Sequence, residues 1–219
     1  LEGLAHVLFL EFKGEDRFEQ MDAVDKHLSQ GRPDLAGKPK TAETEEEIET
    51  LWELRKQVLP LLSQPGPGLE ALSVVNDVGV PPEKLAPFIT DLQHLFEKHK
   101  MDTLIYGHAG NGNLHLRPLF DVSRRGLKKR IQAIADDVYE LVFKYDGTIS
   151  GEHGMGRVRA PYLEREWGEK ILGYMKAVKA VFDPADLFNP GVMFSNRPIT
   201  DFIRPDLLRE RPREEGNKE

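Results

Sequence analysis

A chain of 219 residues has room for one large or two small domains and for a hydrophobic core. With 39% hydrophobic and 31% charged residues it reads as globular rather than disordered, and no apolar run approaches the length of a membrane span. The net charge of −7 argues against a general nucleic-acid binder, and the lack of cysteine excludes disulfides and thiolate ligation, leaving His, Asp and Glu to hold any metal.

The opening "LEGLAHVLFLEFKGED" has no basic leader and turns acidic at once, so it reads as a strand inside a larger protein, not a signal peptide. Residues 6–12, "HVLFLEF", predict a buried strand, followed by an amphipathic helix over 15–30. "GRPDLAGKPK" is a loop by its Gly and Pro content. The next helix, in "TAETEEEIETLWELRKQVLPLL", carries acids in its first turns, where they complement the macrodipole. Leu51, Leu54, Val58 and Leu62 form its expected buried stripe. "QPGPG" breaks the chain; "LEALSVVNDVGVPP" predicts a strand and "EKLAPFITDLQHLFEKHK" a helix.

"DTLIYGHAGNGNLHLRPLF" reads as two strands about Asn111-Gly112. A long helix over 123–145 turns Ile131, Ile134, Val138, Leu141 and Val142 inward. A glycine-rich connection leads to the last long helix, which stops at Asp183-Pro184. Beyond Met193 the Arg-, Pro- and Glu-rich segment reads as a poorly packed charged tail, 195–219, behind a domain over 1–194. Strands interleaved with long helices, one pair joined as a hairpin, indicate an α+β fold: an antiparallel sheet with flanking helices.

Asn-Gly favours a two-residue type I′ turn, because both central residues need positive φ. With that turn at Asn111-Gly112, His108 faces His115. Directly opposed residues have Cβ atoms roughly 4.5–5.5 Å apart, and two imidazoles so placed can reach one cation at about 2.0–2.1 Å each. A pair of structural, hydrogen-bonded histidines is the competing reading. His6, His27, His94 and His99 have structural or solvent-facing explanations: His94 and His99, five apart on one helix, do not face each other.

"GTISGEHGMGR", residues 147–157, embeds Glu152 and His153 among glycines that permit sharp turns and close backbone approach. A carboxylate added to two histidines gives a donor set with open coordination positions, suited to metal-assisted chemistry. His153 would then serve as general base. A surface loop with a solvated Glu-His pair is the alternative.

"GHAGNGNLH", "GTISGEHGMGR" and "FDPADLFNPGVMF" resemble the C-terminal domain of the FAD-linked 2-hydroxy-acid oxidases and dehydrogenases, over residues 5–194. The family includes the glycolate oxidase flavin subunit and the D-lactate and D-2-hydroxyglutarate dehydrogenases. The resemblance implies a substrate or cap domain set over a flavin. Its metal ligands fall on His108, His115 and Glu152, for Zn or Mn, and its catalytic base on His153. The arginine of its "LW-x-x-R" helix falls on Arg55, which in the family pairs with the substrate carboxylate. Where several relatives carry a substrate-touching Asn, this chain has Arg117, and Asn189 of "FNPG" falls near the flavin.

The family's FAD-binding domain normally precedes this one, and no glycine-rich phosphate loop stands before residue 100. The chain is therefore expected to be one piece of a larger or split enzyme, inactive alone. Implied partners are an FAD-binding domain or subunit, a small 2-hydroxy acid and an iron–sulfur electron-transfer subunit, in a homo-oligomer. The expected location is the cytoplasm, with a membrane reached only through a partner. Family members acting on dicarboxylates carry a Lys in the strand that aligns with "SVVNDVGVPP"; its absence favours glycolate or lactate. Two rival functions remain: a metal-dependent hydrolase using the same ligands with water, and a non-catalytic subunit stabilised by its metal.

Overall fold

The structure, a computed structural model, describes residues 6–30, 40–62, 66, 68–204 and 206–208. The chain divides into two units, Leu1–Val58 and Leu59–Glu219.

In the first unit, α1 spans Arg17–Ser29 and α2 begins at Glu45, running on to Leu62 across the division. Glu45, Glu46 and Glu47 occupy the first turn of α2, and Thr44 and Glu47 form a reciprocal cap: Glu47 N–H donates to Thr44 Oγ1 and Thr44 N–H to Glu47 Oε2. The strand expected over 6–12 is absent. Val7, Leu8 and Leu10 are exposed, because an apolar run becomes a strand only against a neighbouring ladder and the described part of this unit contains none. The buried stripe of α2 is also corrected: Leu51 and Leu54 are half-buried, while Val58 and Leu62 lie outside the described side chains. The predicted break at "GRPDLAGKPK" falls almost wholly outside the described residues.

The second unit is α+β. Its strands are β1 (Leu69–Ala71), β2 (Val78–Gly79), β3 (Thr103–His108) and β4 (Asn113–Asp121). All pairing is antiparallel and all of it runs through β4: β3 pairs with residues 113–118, β1 with 119–121 and β2 with 113–114. The single strand expected over 69–82 is thus two short strands separated by residues 72–77, and that interruption carries buried Asn76 and Asp77. Two long helices, α3 (Leu85–Lys98) and α4 (Leu127–Lys144), supply the other half of the core. Phe88, Leu92 and Phe96 recur at helical spacing on α3, and Ile131, Ile134, Val138 and Val142 do so on α4, all buried against Val75, Val78, Leu116 and Phe120.

Helix α4 ends where Asp146 adopts positive φ and Gly147 N–H reaches back to Val142 O, a left-handed stop that feeds the chain into the glycine-rich connection. Helix α5 (Leu163–Phe182) is broken at Gly168, whose φ of 77° and ψ of 158° are not helical. The poorly packed tail expected after Met193 is corrected at its start: Ile199, in a short 3₁₀ turn, is fully buried in the core beside α4. No helix among the described residues is long and apolar enough to cross a membrane.

Candidate functional site

The hairpin exists, but its register differs from the expected one. His108 pairs with Asn113 and His115 with Tyr106, so four residues, not two, make the connection. Gly112 takes φ 67° while Asn111 sits in a 3₁₀ turn, so only one of the two residues has the positive φ that a type I′ turn requires. Any other residue at 112 would drive a Cβ to 1.9 Å from Val80 O, where the chain leaving β2 crosses the turn. A shift of two preserves side-chain faces. His108 and His115 therefore become diagonal neighbours on one face, with ring centroids 5.6 Å apart and planes at 87°.

The glycine-rich segment is docked on the same sheet. Gly79 and Thr148 exchange both backbone hydrogen bonds, at 2.9 and 2.8 Å, extending β2 by one bridge. Gly151 then passes so close to the hairpin that a Cβ would lie 2.2 Å from Asn113 Nδ2, which explains the glycine there. Beneath this loop lies Asp77, fully buried and in left-handed geometry with φ 69°. It accepts from Asn113 Nδ2, Ser150 Oγ and the backbone N–H groups of Glu152 and His153. Burial alone would raise the pKa of this carboxyl; the donors from His153, Asn113, Glu152 and Ser150 outweigh it and hold the group below its ordinary value.

These contacts bring four predicted residues together. Glu152 Oε1 lies 3.0 Å from His115 Nε2, 3.5 Å from His153 Nε2 and 3.7 Å from His108 Nε2. His115 is buried, stacks on His153 at 5.1 Å between centroids and touches Tyr106 at 5.0 Å. Burial pushes its pKa down, against the pull of Glu152, which favours the neutral imidazole that ligates metals. Ligand atoms of Asp77, His115, Glu152 and His153 all lie within 4.8 Å of one another. Two imidazoles and a carboxylate, with a third imidazole in reach, form a donor set of the kind that can hold a divalent cation.

The remaining predicted residues are placed as follows. Arg117 stands two residues beyond His115 on the same face of β4, and its buried Nε has no hydrogen-bond partner among the described residues. Arg55, in the first unit, sits on α2 with its guanidinium 5.3 Å from the Trp52 ring centroid; no ion pair with a neighbouring glutamate is found among the described residues. Asn189 is exposed, with φ 49°, and its carbonyl accepts from Val192 N–H in a turn. That turn is tied to the glycine-rich segment, because Met193 N–H donates to Gly156 O. Sequence reasoning missed Asp77, Asn113 and Arg159. The available signal was an acid within the apolar run "VVNDVGV", since a charge buried there must find partners.

A family model described as "FAD linked oxidases, C-terminal domain" matches residues 2–193. The glycolate oxidase subunit GlcD of Bacillus subtilis is 35% identical over 155 residues, covering 71% of this chain and 32% of the relative. The D-2-hydroxyglutarate dehydrogenase of Escherichia coli is 35% identical over 144 residues, 66% of this chain and 14% of the relative. The mitochondrial cytochrome D-lactate dehydrogenase of Arabidopsis thaliana is 34% identical over 150 residues, 68% and 26% respectively. The matched part of the chain spans at most 32% of the length of these relatives.

Proposed function

Because the chain belongs to the family of FAD-linked oxidase C-terminal domains, we propose that it is the substrate- and metal-binding cap domain of a flavin-dependent oxidoreductase acting on a small D-2-hydroxy acid. The product is the 2-oxo acid. The observation that carries this reading is the convergence of three imidazole Nε2 atoms on Glu152 Oε1, at 3.0 to 3.7 Å.

His108, His115 and Glu152 would hold the divalent cation, Zn or Mn, which this donor set fits. A cation held there would supply Lewis acidity toward the substrate hydroxyl, and FAD, held mostly outside this chain, would supply the acceptor for the hydride of the 2-carbon. His153 takes the hydroxyl proton at Nε2, because its Nδ1 faces the Asp77 carboxylate at 3.8 Å and its Nε2 faces the donor cluster. Loss of that proton and of the hydride turns the carbinol into a carbonyl. Arg117 orients the substrate carboxylate by charge-assisted hydrogen bonds, with Arg55 assigned to the same task on the resemblance of its helix. Asn189 is assigned to the flavin side on the same ground.

Relatives named for glycolate, D-lactate and D-2-hydroxyglutarate match at similar identity. The missing lysine between Ser73 and Pro82 therefore carries the choice of a monocarboxylate, glycolate or lactate. An iron–sulfur subunit is the proposed electron acceptor, in a cytoplasmic homo-oligomer.

Elemental mass spectrometry of the purified chain, beside His108→Ala, tests the metal reading. About one equivalent of Zn or Mn, lost in the variant, is expected. A metal-free wild-type chain after Zn and Mn loading overturns it.

A further inference from the structure

Asp77 is a carboxylate without exposed surface in the segment between β1 and β2, and the chemistry proposed above uses it only as the group that His153 Nδ1 faces. Both of its oxygens are already engaged. Oδ1 accepts from Asn113 Nδ2 at 2.9 Å and Glu152 N–H at 3.0 Å; Oδ2 accepts from His153 N–H at 2.8 Å, Ser150 Oγ at 3.0 Å and, as the second branch of a shared bond, Glu152 N–H at 3.2 Å. A carboxylate whose acceptor sites are filled in this way has little left to offer a cation, although it lies within the cluster of ligating atoms. Its partners come from the hairpin that carries the two histidines and from the loop that carries Glu152 and His153, so one buried charge joins both halves of the site.

Arg159 completes the arrangement. It lies 3.7 Å from Asp77 Oδ2 and donates to Asn76 O on one side and to Gly154 O on the other, so the charge is balanced and the loop is tied to the segment that carries Asp77. Gly151 leaves the space that the Asn113–Asp77 contact occupies.

Resting on the reading of Glu152 and His153 as metal ligand and base, we propose that Asp77 is the positioning residue that sets both. It fixes their backbone by accepting their N–H groups and locks them to the hairpin through Asn113. The ligand set is then assembled before a cation arrives, and the Glu152 carboxylate and His153 ring project from an anchored main chain. Groups that orient the ligands of a metal centre typically change affinity 10- to 100-fold when removed.

The test uses Asp77→Asn and Ser150→Ala in the full chain. Backbone hydrogen exchange is followed by mass spectrometry at residues 150–154, with α4 as internal reference, beside calorimetric titration with Zn(II). In Asp77→Asn, exchange in the loop should accelerate about tenfold or more while α4 keeps its protection. The Zn dissociation constant should rise roughly 10- to 100-fold. Ser150→Ala, which removes one donor and spares the carboxylate, should move both readouts the same way by about 2- to 10-fold. Loop exchange unchanged in a folded Asp77→Asn overturns the proposal, as does an equal acceleration in α4, which would mark a role in global stability alone. Should Asp77→Asn not fold, Ser150→Ala decides by the same criteria. A wild-type chain that takes up no Zn sinks the metal reading, while the loop exchange still judges Asp77.

Discussion

His108 and His115 stand diagonally across the hairpin, their rings 5.6 Å apart and nearly perpendicular, with Glu152 Oε1 between their Nε2 atoms at 3.7 and 3.0 Å. The two differ in setting: His115 is buried and stacked, His108 exposed. In the proposed site each would supply one bond to the cation. His115→Ala and His108→Ala should each weaken Zn binding about 100-fold or more, read by titration. Only His115→Ala should also lower the melting temperature, because it empties a packed position. Equal metal content in wild type and both variants would refute the assignment.

His153→Asn removes the proposed proton acceptor and leaves the proposed ligands in place. In the intact flavoenzyme, flavin reduction by the hydroxy acid should fall by about 10²- to 10⁴-fold, with metal content unchanged. Stopped-flow absorbance of the flavin measures this directly. Reduction at the wild-type rate would remove His153 from the chemistry.

Arg117 has a buried Nε without a partner among the described residues, on the face of β4 that carries His115. Arg117→Ala should raise KM for glycolate or lactate about 10- to 100-fold, the loss of one charge-assisted contact, with a smaller effect on kcat. Arg117→Lys should recover only part, since a point charge does not replace a planar fork. Unchanged KM in the intact enzyme would exclude Arg117 from carboxylate binding.

Glu166 supplies a pH-dependent prediction away from the histidines. Burial raises its carboxyl pKa, against the hydrogen bond from Thr148 Oγ1 and the nearby Ile149 backbone N–H, and its buried Oε2 makes no full hydrogen bond among the described residues. A carboxyl whose folded pKa is raised stabilises the fold below its unfolded pKa, and that contribution is lost as pH rises through the folded value. Glu166→Gln mimics the protonated form at every pH. Its melting temperature should exceed that of wild type at neutral pH, and the gap should close below about pH 4. A gap independent of pH would contradict the assignment.

The helices α3 and α4 follow directly from apolar residues at 3.6-residue spacing, which needs no knowledge of the partner surface. The hairpin was readable from Asn111-Gly112, but its register was not. That depended on the chain leaving β2, whose Val80 carbonyl crosses at Gly112 and leaves no room for a side chain. Residues 6–12 carry the composition of a strand without a ladder to join, and Ile199 is masked by the Arg and Pro around it. His108, His115, Glu152 and His153 could be singled out because imidazoles and acids set among glycines have few packing explanations. For Asp77 the apolar run around it marks a buried charge, but its partners lie 36 to 76 residues away and nothing local identifies them.

Strand β4 also constrains how such a sequence can change length. It is the only partner of β1, β2 and β3 among the described strands, and it carries Asn113, His115 and Arg117 on one face with Leu114 and Leu116 on the other. Inserting or deleting a single residue within it would exchange those faces, putting leucines toward the donor cluster and imidazole and guanidinium into the core. Such an indel would cost fold and chemistry together. Tolerated length variation is thereby directed to surface connections such as residues 122–126 between β4 and α4, where neither ladder nor site is threaded.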